Sequence, residues 1–174
     1  MPYNAVRRTT HPIFGAITFM AALMLWGLFV GVPPAAAQTE YAPHFVSLRH
    51  DTVNLRTGPG TRYPVDWVFK RARLPVEAIA EFEQWVRVRD HEGDEGWVHR
   101  RLLSQERWAV VTGTMRTVRQ RPAVDAAPVL FAEPGVLGRL LACRQDWCEV
   151  EIRARRGWLP RSYLWGVYPQ EEFE

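Results

Sequence analysis

Cys143 and Cys148, four histidines of the apparent globular part, an acidic run and a glycine–proline loop are the residues whose types could do chemistry in this chain. The cysteines flank "RQDW", and a turn at Gln145-Asp146 sets Arg144 opposite Trp147 and Cys143 opposite Cys148. That spacing predicts a disulfide across a hairpin tip, provided the compartment is oxidising. Two thiols without a third ligand nearby do not close a zinc shell, and an oxidised thiol is no nucleophile. The loop "VNLRTGPGTRYPV" (53–65) fails the phosphate tests. Gly58 and Gly60 stand two apart, no Lys follows them, and Pro59 removes an amide donor. Val65, Trp67, Val68 and Phe69 then read as strand, so the stretch is a wide turn between strands. "DHEGDEG" (90–96) lacks the length and glycine placement of a calcium loop and reads as a solvated hairpin tip. Its counterpart "RARRG" (153–157) carries the opposite sign. His44, His50, His91 and His99 form no spaced pair, and neither Gly-x-Ser-x-Gly nor a clustered acid dyad occurs. The expectation is a protein without catalysis, cofactor or metal.

The elements that position side chains are short. "FVSLR", "VNLR", "VDWVF", "PVEAIAEF", "WVRVR" and "GWV" alternate between Gly, Pro and Asp turns, and a second series from "WAVVT" to "GWL" repeats the pattern. No segment has a helical period. In "WVRVR", charged residues avoid a core, so Val86 and Val88 point inward and Trp85 stands on the polar face with Arg87 and Arg89. In "WCEVEI" the same count sends Cys148, Val150 and Ile152 inward and Trp147 outward. These two tryptophans are either recognition surfaces for sugars or peptides, or rings half-buried under a neighbouring loop. Trp97 and Trp158, each after a Gly, suit packing between barrel and turn.

Three blocks recur in order at an offset of 61 to 63 residues. "NLRTGPGTRYPV" from Asn54 pairs with "TVRQRPAVDAAPV" from Thr117, "QWVRV" with "DWCEV", and "GWVHRRLL" with "GWLPRSYL". Order and constant offset together mean a tandem repeat. Only "SQER" (104–107) separates the copies, which predicts that they dock.

The first 37 residues stand apart. Arg7 and Arg8 precede an uncharged apolar run from Ile13 to Val32, followed by Pro33-Pro34 and Ala35-Ala36-Ala37 before Gln38. This reads as a cleaved export signal, with an uncleaved membrane anchor as the alternative, because 20 residues can span a bilayer. Either way the remainder is expected in the periplasm or outside the cell. Without the leader the chain keeps 20 basic against 19 acidic residues, no excess that would suit nucleic acid.

The order Asn-Leu-Arg-x-Gly-Pro-Gly, then Trp-x-x-Val, then Gly-Trp-Val and a closing hydrophobic pair resembles the bacterial Src-homology-3 domain of exported envelope proteins. "GWLPRSYL" is similar to the strand and 3₁₀ turn of eukaryotic domains of that fold. In the second copy Arg121, Ala123 and Val124 replace the Gly-Pro-Gly character. The resemblance implies an all-β protein of two tandem, partly open, five- to six-stranded Src-homology-3-like barrels behind the export signal. The quoted glycine–proline loop would border a shallow groove for extended ligands. Trp147, Pro160 and Tyr163 would line it in the second copy; the first copy places His99 and Leu102 at the last two positions and offers Arg56, with Arg119 opposite in the repeat, where eukaryotic domains carry tyrosine. The groove set is thus Arg56, Tyr63, Trp85, Trp147, Pro160 and Tyr163. Segment bounds are 1–37 for the leader, 38–43 for a linker, 44–105 and 106–168 for the barrels, and 169–174 for an acidic tail. The implied partner is peptidoglycan or its stem peptides, and the alternative is an extended peptide of a periplasmic protein. Membrane contact is expected only through an uncleaved leader, and the sequence specifies no oligomeric state.

Overall fold

Strand alternation decides which side chains enter a core, and β5 (Trp85–Arg89) follows it residue by residue, with Val86 and Val88 buried and Arg87 and Arg89 exposed. The computed structural model describes residues 41–174; the expected leader and the start of the linker lie outside them. The first antiparallel sheet contains β1 (His44–Leu48), β2 (Val53–Arg56), β3 (Val65–Phe69), β4 (Pro75–Phe82), β5, β6 (Glu95–His99) and, after a 3₁₀ turn at Arg100–Leu102, β7 (Leu103–Ser104). Its order is β3-β2-β6-β5-β4-β1-β7. The second sheet repeats that order with β8 (Trp108–Val111), β9 (Arg116–Arg119), β10 (Pro128–Ala132), β11 (Leu137–Arg144), β12 (Trp147–Ile152), β13 (Arg155–Pro160) and β14 (Leu164–Trp165). The fold is all-β, two tandem barrels of one topology. Each has seven strands, more than the resemblance implied, because both arms of the long loop and the two-residue closing strand count separately.

The bends that curl each sheet fall at matching places. Pairing of β4 with β5 shifts register between Ala78 and Ala80, and pairing of β11 with β12 shifts between Leu140 and Ala142. One extra residue on the long strand sharpens its twist and folds the sheet over its own core. Val53, Leu55, Val76, Val88 and Val98 fill the first core; Val111, Val118, Val150, Leu159 and the two cysteines fill the second. The Gly-Trp step of each copy has a steric cause. A Cβ on Gly96 would lie 2.5 Å from Leu55 Cγ and 2.9 Å from the Arg56 carbonyl; one on Gly157 would lie 2.7 Å from the Arg119 carbonyl. Only glycine lets the two strands approach so closely. The tryptophan that follows then pairs with Arg56 or Arg119.

Cys143 and Cys148 are register partners across the Gln145-Asp146 turn, with Arg144 opposite Trp147, and they form the disulfide. Both are wholly buried. Closing so short a loop stabilises by about 2 kcal/mol through the unfolded chain. Cys143→Ser is therefore expected to lower stability by about that amount in a denaturant titration, and both wild-type thiols should resist alkylation until reductant is added.

Residues 169–174, set apart in the sequence as an acidic tail, fold back instead. Phe173 exchanges backbone hydrogen bonds with Cys143 and packs its ring against the second core. Arg161, buried to 6% exposure in the 3₁₀ turn Arg161–Tyr163, donates from Nη1 to the carbonyls of Tyr168, Pro169 and Glu171 and from Nη2 to that of Gln145. Glu171 meets Arg107 in an ion pair and accepts the Tyr168 N–H. Burial alone would raise its pKa, but the Arg107 hydrogen bonds, the Tyr168 amide and the two arginine charges outweigh that and hold it below its ordinary 4.5. A depressed carboxylate pKa gives stability that is present above the unfolded value and is lost as pH falls through the folded one. The tail should thus stay docked at neutral pH and become protease-sensitive in acid below pH 4.5, while Glu171→Gln should remove much of that pH dependence.

The same residues join the barrels, which lie within one compact unit. Tyr168 donates its hydroxyl to Glu77 at 2.8 Å, and Phe45 of β1 meets the rings of Trp165 and Tyr168 at 5.0 and 4.7 Å. Desolvation first, then the hydrogen bond and charge of Glu77, push the Tyr168 phenol far up, so it remains a donor at any physiological pH. Ser47 donates to the Glu106 carbonyl, and the Arg107 guanidinium stands over both Phe45 and Phe173.

Candidate functional site

Because Val86 and Val88 occupy the core side of β5, Trp85 is left on the outer face at the strand's start. Its cross-strand partner is His99 on β6, and the two rings meet edge to face with centroids 5.3 Å apart. His99 also caps the 3₁₀ turn, its Nδ1 accepting the Arg101 N–H. The long loop supplies the opposite wall. Arg56 donates to the carbonyls of Tyr63 at 2.7 Å and Thr61 at 3.3 Å, curling the loop back toward the sheet. Arg119 does the same in the second copy, donating to the Ala126 carbonyl at 2.8 Å. Arginine at this position therefore shapes the loop in both copies.

Between these walls lies a groove of about 210 Å³ lined by Arg56, Thr61, Trp85 and His99 together with Asn54 and Arg101. It offers a half-buried indole face surrounded by amide, hydroxyl, imidazole and guanidinium groups, and no carboxylate lines it. Such a surface can hold a ligand with apolar faces and polar edges, a sugar ring or a peptide. Of the expected groove residues it gathers Arg56 and Trp85. Tyr63 is elsewhere: its ring lies across the loop glycines, so that a Cβ on Gly58 would fall 2.4 Å from it. That contact explains the glycine–proline–glycine stretch as the bed of an aromatic ring. In the second barrel Trp147 and Pro160 are direct register partners, and Tyr163 lies under the Arg116 guanidinium, 3.7 Å from its ring centroid.

Asn54 and Thr61 were not singled out from sequence, although alternation with buried Val53 and Leu55 places Asn54 outward. The acidic hairpin tip is exposed from His91 to Asp94, as expected, but its base is not. Asp90 is buried, and its Oδ1 accepts the amides of Glu92 and Asp94, so that the carboxylate staples the turn. Among the described residues no helix is long and apolar enough to cross a membrane.

The sequence profile of the bacterial SH3 domain matches residues 49–105 and again 113–166. A relative from Bacillus subtilis (strain 168), named "Putative N-acetylmuramoyl-L-alanine amidase YrvJ", is 25% identical over 126 residues, spanning 66% of this chain and 24% of its own length. Among solved structures, NlpC2 and NlpC1 from Trichomonas vaginalis align with 75% of this chain and with 50% and 48% of theirs, at 11% and 12% identity and a TM-score of 0.34 each. The chain thus spans half or less of each of these proteins. Matched over both of its halves, this chain belongs to the bacterial SH3 domain family and carries the domain twice.

Proposed function

We propose that this chain is a non-catalytic binding module of the cell envelope, exported behind residues 1–37, whose first barrel recognises peptidoglycan or its stem peptides in the Trp85 groove. The observation that carries this reading is the exposed part of the Trp85 ring set among Asn54, Thr61, His99 and Arg101, apolar surface and hydrogen-bonding groups in one shallow groove. Sugars and peptides need both at once. Three facts support it. The chain belongs to the bacterial SH3 domain family, a relative matched over 24% of its own length is named "Putative N-acetylmuramoyl-L-alanine amidase YrvJ", and the Cys143–Cys148 bond suits an oxidising compartment. Both cysteines of the chain are committed to that bond, which leaves no thiol nucleophile.

Co-sedimentation with purified sacculi tests the reading. The full chain should pellet with sacculi in a saturable manner and leave the wall's mass and muropeptide pattern unchanged. A chain that stays in the supernatant overturns wall binding, and a defined periplasmic partner recovered under the same conditions would instead favour recognition of a protein peptide. Release of muropeptides by the purified chain would overturn the non-catalytic assignment.

A further inference from the structure

The seam between the barrels holds a second cleft, about 820 Å³, to which both contribute. Arg49, Arg71 and Arg73 come from the first barrel, and Arg139 and Arg153 from the second, with Trp108 in the wall. Among the described residues none of these five guanidiniums lies in an ion pair. Arg49 and Arg71 each donate one hydrogen bond to a backbone carbonyl, Arg73 stacks over the Trp108 ring at 5.0 Å, and the Arg139 and Arg153 side chains make no hydrogen bond. The carboxylates nearby are engaged locally: Asp51 accepts the Ala72 amide, Glu106 the Trp108 indole N–H, and Glu151 faces Arg156 at 3.7 Å. The five arginines are exposed, and the cleft carries five positive against three negative side chains.

The cleft's rim is built from tight turns. Arg73, Arg153 and Ala154 on the cleft's rim have φ of 65°, 50° and 62°, the left-handed region that side chains avoid. Arg153-Ala154 forms the two-residue turn between β12 and β13, where Asn-Gly would fit without strain. Glu83 and Gln145 adopt the same φ in hairpin turns away from the cleft, so the turn geometry itself imposes it.

We propose that this cleft is a second binding site, separate from the Trp85 groove, for an acidic peptide bearing carboxylates at intervals along its chain. Guanidinium forks match carboxylates two bonds at a time. The cleft is far larger than one anion and within the range for ligands of several residues. Asp51, Glu106 and Glu151 would repel a dense phosphate cluster, whereas singly charged carboxylates can sit on the arginines between them, with the chain against Trp108.

The test is fluorescence anisotropy of the full chain with a fluorescein-labelled Glu-Ala-Glu-Ala-Glu peptide at low ionic strength, where screening is weak. Saturable binding is expected. It should weaken at least tenfold for the Gln-substituted peptide and for the Arg139→Gln/Arg153→Gln variant, and stay within twofold for Arg62→Gln/Arg121→Gln, which removes two charges elsewhere. Pyrophosphate at equal concentration should not displace the peptide. Arg153→Gly removes the turn strain, so it should raise the melting temperature while weakening the peptide. Absence of binding, equal affinity in the two double variants, displacement by pyrophosphate, or unchanged affinity in Arg153→Gly would each overturn the proposal. Sacculus binding is measured separately and depends on the other site.

Discussion

Arg161→Ala is expected to cost about 3 kcal/mol and to free the C-terminal segment. The guanidinium is buried and holds four backbone carbonyls, three from residues 168–171 and one from the Gln145 turn, while its Nε is buried without an acceptor. A hydrogen bond from a charged donor contributes about 1.5–3 kcal/mol, which would come to about 6–12 kcal/mol if four simply added. They do not add, because the chain end can swing into water and rehydrate its carbonyls. What remains is the loss of docking for Tyr168, Glu171 and Phe173, and with it part of the seam between the barrels. Arg161→Lys should recover only a fraction, since an ammonium cannot fork to the two groups of acceptors. Denaturant titration gives the energy, and limited proteolysis should trim the tail from the alanine variant first. A variant as stable as wild type, with its tail still protected, would show that Arg161 does not anchor it.

Much of the fold was legible because repeated spacing and alternation report on it directly. The period of two placed Val86, Val88, Cys148, Val150 and Ile152 inward, and all five are buried. The "RQDW" spacing gave the disulfide with its register, since a two-residue hairpin leaves little freedom in pairing. The candidate site was legible only in part. Trp85 followed from strand parity, but the task of Arg56 did not, because its acceptors are carbonyls of the loop and a carbonyl has no residue type to read. The same blindness hid Arg161. The place of the Tyr63 ring was hidden for a related reason: its partner is the space over Gly58 and Gly60, and a missing side chain does not announce what fills its place. The arginine cleft was invisible, since Arg49, Arg71 and Arg73 meet Arg139 and Arg153 only once the barrels dock.

Trp85→Ala should weaken binding to sacculi by about 30-fold, because truncating a ring that stacks on its ligand typically costs at least 2 kcal/mol. The ring's edge contact with His99 is lost as well, yet Val86, Val88 and the rest of the core are untouched, so the fold should survive. Val88→Ala is the counterpart. It opens a cavity at a fully buried site, on the order of 2 kcal/mol in stability, and should spare the affinity of the folded fraction. The deciding measurement is the sedimentation isotherm of the full chain on purified sacculi, wild type beside Trp85→Ala, with thermal melts of both. A rightward shift of about 30-fold at nearly unchanged melting temperature is expected; an unshifted isotherm for a folded Trp85→Ala would contradict recognition through this ring.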